Sequence, residues 1–238
     1  AFRAGKRLNA GQICWAPDDV FVPRDRVGEF VESSKRSVAK MYTTLLDNPD
    51  YTSVINARHF ERINGYVDEA RERGVEVVEI NPADEDFRQQ SAHKIAPTLL
   101  IDPPEDSAVM QEEIFGPVMP IKSYDSLDET LDYVNSHDRP LGLYYFGTDQ
   151  EETQRVLNQT TSGGVTLNDV VMHVAQEDLP FGGVGPSGMG AYHGEDGFRT
   201  FSHAKAVFKQ ATFNPAEKLG LRPPYGDKLM GLLKTQIK

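Results

Sequence analysis

The segment Asn9-Ala10-Gly11-Gln12-Ile13-Cys14-Trp15-Ala16-Pro17 holds the chain's single cysteine and its single tryptophan. A thiolate held on a rigid turn beside a hydrogen-bond donor attacks carbonyl carbon. Gly11 lets the backbone come close to a ligand. A backbone N–H on such a turn can face a developing oxyanion. Pro17 and the strand expected after it would fix the loop. The competing reading is an inert core thiol, because a lone cysteine is more often a small buried hydrophobe than a nucleophile.

A second chemical candidate is the acidic pair Glu112-Glu113, followed at once by Ile114-Phe115-Gly116-Pro117. A carboxylate beside an aromatic ring and a tight turn can accept hydrogen bonds from a ribose diol, whereas Glu151-Glu152 reads as a solvated face. The run Gly182-Gly183-Val184-Gly185-Pro186-Ser187-Gly188-Met189-Gly190 contains G-x-G-x-x-G at Gly183, Gly185 and Gly188. It is rejected as a dinucleotide fingerprint. Pro186 removes a donor where the pyrophosphate would sit, and no βαβ unit with an acidic partner follows. A tight loop packed on a helix or a pocket is expected instead. No metal is expected: His59, His93, His137, His173, His193 and His203 include no pair at i, i+4, and Cys14 has no second thiol nearby.

Alternating elements must position these groups. Asp19–Val22 reads as a buried strand ended by Pro23. Val27, Phe30, Val31, Ser34, Val38 and Met41 fall at helical spacing, with Asp25 as the expected N-cap. Phe60, Ile63, Val67 and Ala70 mark a second helix stopped at Gly74, and Val75–Ile80 a strand. Strands follow at 97–101 and, despite Pro120, at 118–121. Leu127, Leu131 and Val134 form a helix capped by Asp125 or Ser126. A strand at 141–146, a helix at 150–157 and a strand at 164–167 complete the series. This alternation predicts an α/β fold, a three-layer domain with a largely parallel sheet. Leu229, Leu232, Leu233 and Ile237 predict one short amphipathic helix in the tail, read as a docked end.

The formal net charge of −11 argues against nucleic acid and against a polybasic membrane anchor. No apolar run approaches the roughly 20 residues of a membrane span. One cysteine allows no internal disulfide, which suits a reducing, cytoplasmic setting. The start Ala1-Phe2-Arg3-Ala4-Gly5-Lys6-Arg7-Leu8, without Met or cap residue, reads as a helix entered partway in a longer protein.

Three segments together resemble the aldehyde dehydrogenase superfamily: Asn9–Cys14 its nucleophile segment, Gln111–Pro117 its cofactor-contacting segment, and Leu179–Gly190 the loop near the end of its catalytic domain. They stand in the family's order. Asn168–His173, Met189–Gly194 and Phe198–His203 resemble its class 3 branch, and within it the bacterial coniferyl aldehyde dehydrogenases.

The resemblance implies an NAD- or NADP-dependent oxidation of an aldehyde, aromatic or medium-chain, to the acid. Cys14 would form a thiohemiacetal and then a thioester, its own N–H making half the oxyanion hole. Glu113 would hold the nicotinamide ribose and Phe115 would contact that end of the cofactor. Phe181 and the stretch around His173 would line the aldehyde pocket. The family's water-activating glutamate and second oxyanion donor, an asparagine, lie upstream of the cysteine segment, as does most of its cofactor domain. Residues 1–205 would then be the catalytic domain and 206–238 a tail, nearly inactive in isolation. The expected assembly is a homo-oligomer, a dimer, with no nucleic acid and no membrane as partner. Two alternatives are a relative that passes the thioester to coenzyme A or runs in reverse, and an interface module without chemistry.

Overall fold

The computed structural model describes Lys6 and residues 8–237; the expected helical entry at 1–8 lies almost wholly outside them. Contacts divide the chain into two compact units, Ala1–Phe201 and Ser202–Lys238.

The first unit is built on a four-stranded sheet. Its strands are β1 (Val20–Pro23), β2 (Glu76–Glu79), β3 (Thr98–Ile101) and β4 (Val118–Tyr124), in the order β1-β4-β3-β2. β1 and β3 run parallel to β4, and β2 is antiparallel to β3. Strand alternation sends Val77, Leu100 and Val118 to one face, where they meet Ile63, Val67 and Ala70 of α2 (Ala57–Glu72). Val22, Leu99, Met119 and Ile121 face the other way, against Val31 and Val38 of α1 (Val27–Met41). Helix, sheet and helix are the three layers that the apolar periodicity predicts. Pro120 lies in β4, which has neighbours on both sides, so one ladder donor is missing there.

Local signals account for most boundaries. Asn56 caps α2 by accepting from His59 N–H, and Gly74 ends it at φ 75°. The helix α3 (Ala108–Gln111) is too short to show a periodicity. Ser126 caps α4 (Leu127–Ser136), with Glu129 reaching back to the Asp125 N–H at 2.9 Å. α1 departs from expectation: a 3₁₀ turn, Arg24–Arg26, precedes it, and Asp25 makes no capping bond. A two-stranded parallel sheet joins β5 (Gly142–Tyr145) to β6 (Gly164–Leu167), with α5 (Gln150–Gln159) between them in sequence. α6 (Gly194–Thr200) closes the unit.

The second unit carries two helices, α7 (Pro215–Lys218) and α8 (Asp227–Gln236). No described residue in it is fully buried.

Candidate active site

Cys14 sits on a turn closed by Ala16 N–H donating to Ile13 O at 2.8 Å, and it is exposed. Asn9 and Ala10 hold left-handed backbone at φ 54° and 51°, and Gln12 N–H donates back to Asn9 O at 3.0 Å. The Gln12 side chain ties this loop down. It donates to Ser53 O at 2.9 Å and accepts from Ile55 N–H at 2.9 Å. Trp15 goes the opposite way from its neighbour: it is 3% exposed, and its carbonyl accepts from Tyr144 Oη at 2.7 Å. The thiol points out from a residue whose successor is locked in.

Gly11 lets a backbone segment come close. At φ 75°, a Cβ there would stand 2.2 Å from Gly116 O, so the missing side chain admits another backbone segment. That segment is the second chemical candidate. Gly116 is held in turn by α2, since a Cβ on it would lie 2.5 Å from Ile63 Cδ1. Asp18, just past the cysteine turn, accepts from Ile114 N–H at 3.2 Å and pairs with buried Lys6 at 3.1 Å. The two motifs, about a hundred residues apart in sequence, are therefore packed backbone to backbone.

The pair Glu112-Glu113 is split by its surroundings. Glu112 accepts from Tyr66 Oη at 2.6 Å. Arg62 donates to the carbonyls of Glu113 and Ile114 at 3.2 and 2.7 Å and to Tyr66 Oη at 2.5 Å. Among the described residues none donates to the Glu113 carboxylate. Its pKa is pushed up by desolvation and by the charge on Asp18, with Arg62 and Lys6 opposing. Phe115 adopts φ 48°, costly for a non-glycine residue, and keeps 37% of its surface exposed. A free carboxylate beside a half-exposed ring is the arrangement that a ribose diol and a flat heterocycle fit.

His173 and Phe181 are placed differently. His173 lies behind Trp15, ring centroids 4.0 Å apart and edge to face, and its Nδ1 pairs with Thr166 Oγ1. Burial alone lowers its pKa. Its Nε2 and Trp15 Nε1 are both buried without a partner among the described residues. Gly142 and Gly164 make room for these rings: a Cβ at either would stand 2.3 Å from Trp15 Cε3 or 2.6 Å from His173 Cδ2. Phe181 touches Trp15 at 5.3 Å and Tyr192 at 4.8 Å. The glycine-rich loop packs on itself, with paired bridges Phe181–Tyr192 and Gly185–Gly188.

A cleft of about 1350 Å³ runs past this region, lined by Cys14, Trp15, Glu113, the edge of β1 and the edge of β5. It brings the thiol and the Glu113 carboxylate to one space, whereas Phe115, His173 and Phe181 are not in its lining. Sequence reasoning missed Arg62, Tyr66 and Asp18. An arginine on an amphipathic helix carries no signal of its target, and Asp18 looks like any loop acid.

The aldehyde dehydrogenase family model matches residues 1–207. A probable coniferyl aldehyde dehydrogenase of Caulobacter vibrioides is 61% identical over 98% of this chain and 48% of its own length. The coniferyl aldehyde dehydrogenase of Pseudomonas sp. (strain HR199) is 53% identical, again over 98% of this chain and 48% of its own length. A solved structure of the substrate-bound state of Staphylococcus aureus AldH superposes with a TM-score of 0.80 at 37% identity, covering all of this chain and 50% of that one. The chain thus spans about half the length of the relatives it matches.

Proposed function

Because the chain belongs to the aldehyde dehydrogenase family, we propose that it supplies the thiol and part of the cofactor site for oxidation of an aldehyde to its acid, using NAD or NADP. The observation that supports this is one shared cleft: an exposed Cys14 on a tethered turn and a carboxylate, Glu113, free of hydrogen-bond donors among the described residues.

Cys14 Sγ, as thiolate, attacks the carbonyl carbon, and the new alkoxide is met by the backbone N–H of the same turn. Hydride leaves the tetrahedral carbon, Cys14 holds the acyl group as a thioester, and water frees the acid and the thiol. When bound, the oxidised nicotinamide accepts that hydride. Glu113 would hold its ribose and Phe115 would contact the nicotinamide end, while Gly116, wedged against Gly11, keeps that segment in register with the cysteine turn. His173 packs against Trp15, which anchors the turn, and Phe181 touches the same tryptophan; the two would line the aldehyde pocket from behind it. The names of its relatives make coniferaldehyde the first substrate to try.

The test joins this chain to the complementary half of its Caulobacter relative and follows reduced nicotinamide with coniferaldehyde, benzaldehyde and hexanal. Turnover lost in Cys14→Ser and fastest on coniferaldehyde is expected. Turnover that survives Cys14→Ser overturns the reading. A general base is worth roughly 10²–10⁴-fold and an oxyanion donor about 10²–10³-fold, so these 238 residues alone are expected to turn over near background.

A further inference from the structure

The cysteine turn hangs on a segment that has no regular structure of its own. Gln12, just ahead of Cys14, is clasped by Ser53 O and Ile55 N–H. Both belong to residues 42–56, which join α1 to α2 without helix or strand. Connections longer than about 12–15 residues without secondary structure are uncommon inside a domain. Such a loop passes its own motion to Gln12 unless something else holds it.

Residues 85–95 hold it. Lys94 is buried, and its ammonium spends all three donors on the loop: Leu45 O at 3.0 Å, Leu46 O at 3.0 Å and Asn48 O at 2.7 Å. The Glu85 carboxylate takes the opposite polarity, accepting from Leu45 N–H at 2.5 Å and Leu46 N–H at 3.0 Å. The peptide joining Leu45 to Leu46 thus lies between a cation on its oxygen and an anion on its N–H, and each charge strengthens the other's hydrogen bond through it. Gln90 pins the Lys94 backbone, its Oε1 accepting from Lys94 N–H and its Nε2 donating to Lys94 O, both at 2.7 Å. The neighbours of Lys94 continue the strap toward the clasp. Tyr51 Oη donates to Ile95 O at 2.5 Å, and Val54 N–H donates to His93 O at 2.9 Å. Leu45, Tyr51, Val54 and Lys94 are all buried within the one unit, so the strap does not depend on what covers its surface.

We propose that Lys94 is a positioning residue for Cys14: with Glu85 across the same peptide, its ammonium fixes loop 42–56, and the loop fixes the thiol's turn through Gln12. Lys94 does not line the cleft, so it acts only through the loop. The inference rests on the reading of Cys14 as the reacting thiol, since only a reacting thiol needs a fixed aim.

Cys14 is the single cysteine, so a nitroxide attached to it in the intact 238-residue chain reports the motion of the turn. Lys94→Met keeps an apolar stem and deletes the three donors. It is expected to shift the nitroxide spectrum toward faster motion at temperatures where circular dichroism shows the chain folded. A lysine that only stabilised the fold would lower the melting temperature and leave that spectrum unchanged. In Gln12→Leu the turn is already untied, so adding Lys94→Met should speed the label no further. An unchanged spectrum in folded Lys94→Met, or effects of the two substitutions that simply add, overturns the proposal. Should Lys94→Met fail to fold, Glu85→Gln decides: it removes one of the two acceptors for Leu45 and Leu46 N–H, should speed the label in the same direction, and overturns the proposal if it does not. The label reads position and turnover reads chemistry. Turnover that survives Cys14→Ser ends the nucleophile reading without touching the label result, and an unchanged label ends this one with Cys14 still essential.

Discussion

Gly11 and Gly116 meet so closely that a single methyl group on Gly11 would stand 2.2 Å from the Gly116 carbonyl oxygen. Through this contact the turn that carries Cys14 and the strand entry that carries Glu113 and Phe115 form one rigid piece.

Gly11→Ala is therefore expected to cost more than the roughly 1–3 kcal/mol of left-handed strain alone, since clash adds to φ 75°. Gly65→Ala is the control. It lies inside α2 with nothing within 4 Å of its Cβ position and should stabilise by about 0.5–1 kcal/mol. Urea midpoints of the two variants check both signs, and a Gly11→Ala protein as stable as the parent would remove the rigid-piece argument.

Arg62→Lys tests what holds the cofactor-side segment. A guanidinium reaches Tyr66 Oη and the carbonyls of Glu113 and Ile114 together, and an ammonium cannot copy that fork. Amide hydrogen exchange at 113–116 should rise while β3 and β4 stay protected. Unchanged exchange at those amides would mean that packing on Ile63 suffices.

Asp18→Ala leaves buried Lys6 without its ion-pair partner and frees Ile114 N–H. Removing one partner of a fully buried pair typically costs about 3–5 kcal/mol; the Asp18 side chain is 35% exposed, so solvent screening holds the expected loss below that range. The Lys6 pKa is already held down by burial, with Asp18 pulling it up, so the variant lysine should shed its proton at still lower pH. Thermal unfolding across alkaline pH reads this: the loss relative to the parent is full while Lys6 must stay charged and shrinks once it is neutral. A loss that does not depend on pH would point to packing alone.

His173 gives a pH dependence with a definite sign. Burial lowers its folded pKa below the ordinary 6.5. Below that value the unfolded chain takes up the proton first, so stability falls as pH drops from about 6.5 toward the folded pKa and then levels off. Trp15, the single tryptophan, stacks edge-on against the imidazole and reports it. In the folded protein its fluorescence should change at the lower end of that window, as pH falls through the folded pKa of His173, and His173→Asn should abolish the change. A fluorescence change retained in that variant would assign the proton to another group.

Much of the fold was legible because it is local. The apolar spacing of α1, α2 and α4, the Asn56 and Ser126 caps and the Gly74 stop each act through neighbours a few residues away. The three chemical segments were legible for a different reason: thiol, carboxylate and glycine-rich loop each require particular residue types at fixed short spacing. The branch resemblance carried by 168–203 agrees with relatives named coniferyl aldehyde dehydrogenases. The Asp25 cap did not form, because a 3₁₀ turn moved the helix start past its reach.

By itself, then, the sequence determined the alternation of strands and helices, the family, and which residues could bear chemistry. Only the tertiary structure decided what those residues face. It turned Gly11 toward Gly116, gave Glu112 to Tyr66 while leaving the Glu113 carboxylate without a hydrogen-bond donor among the described residues, and put His173 behind Trp15. The physical reason is range. Helical period and capping are set within one or two turns of chain, but a carboxylate's partners, a ring's neighbours and the room left by a missing Cβ are supplied by segments fifty to a hundred or more residues away, which meet only when the apolar faces of the sheet are covered.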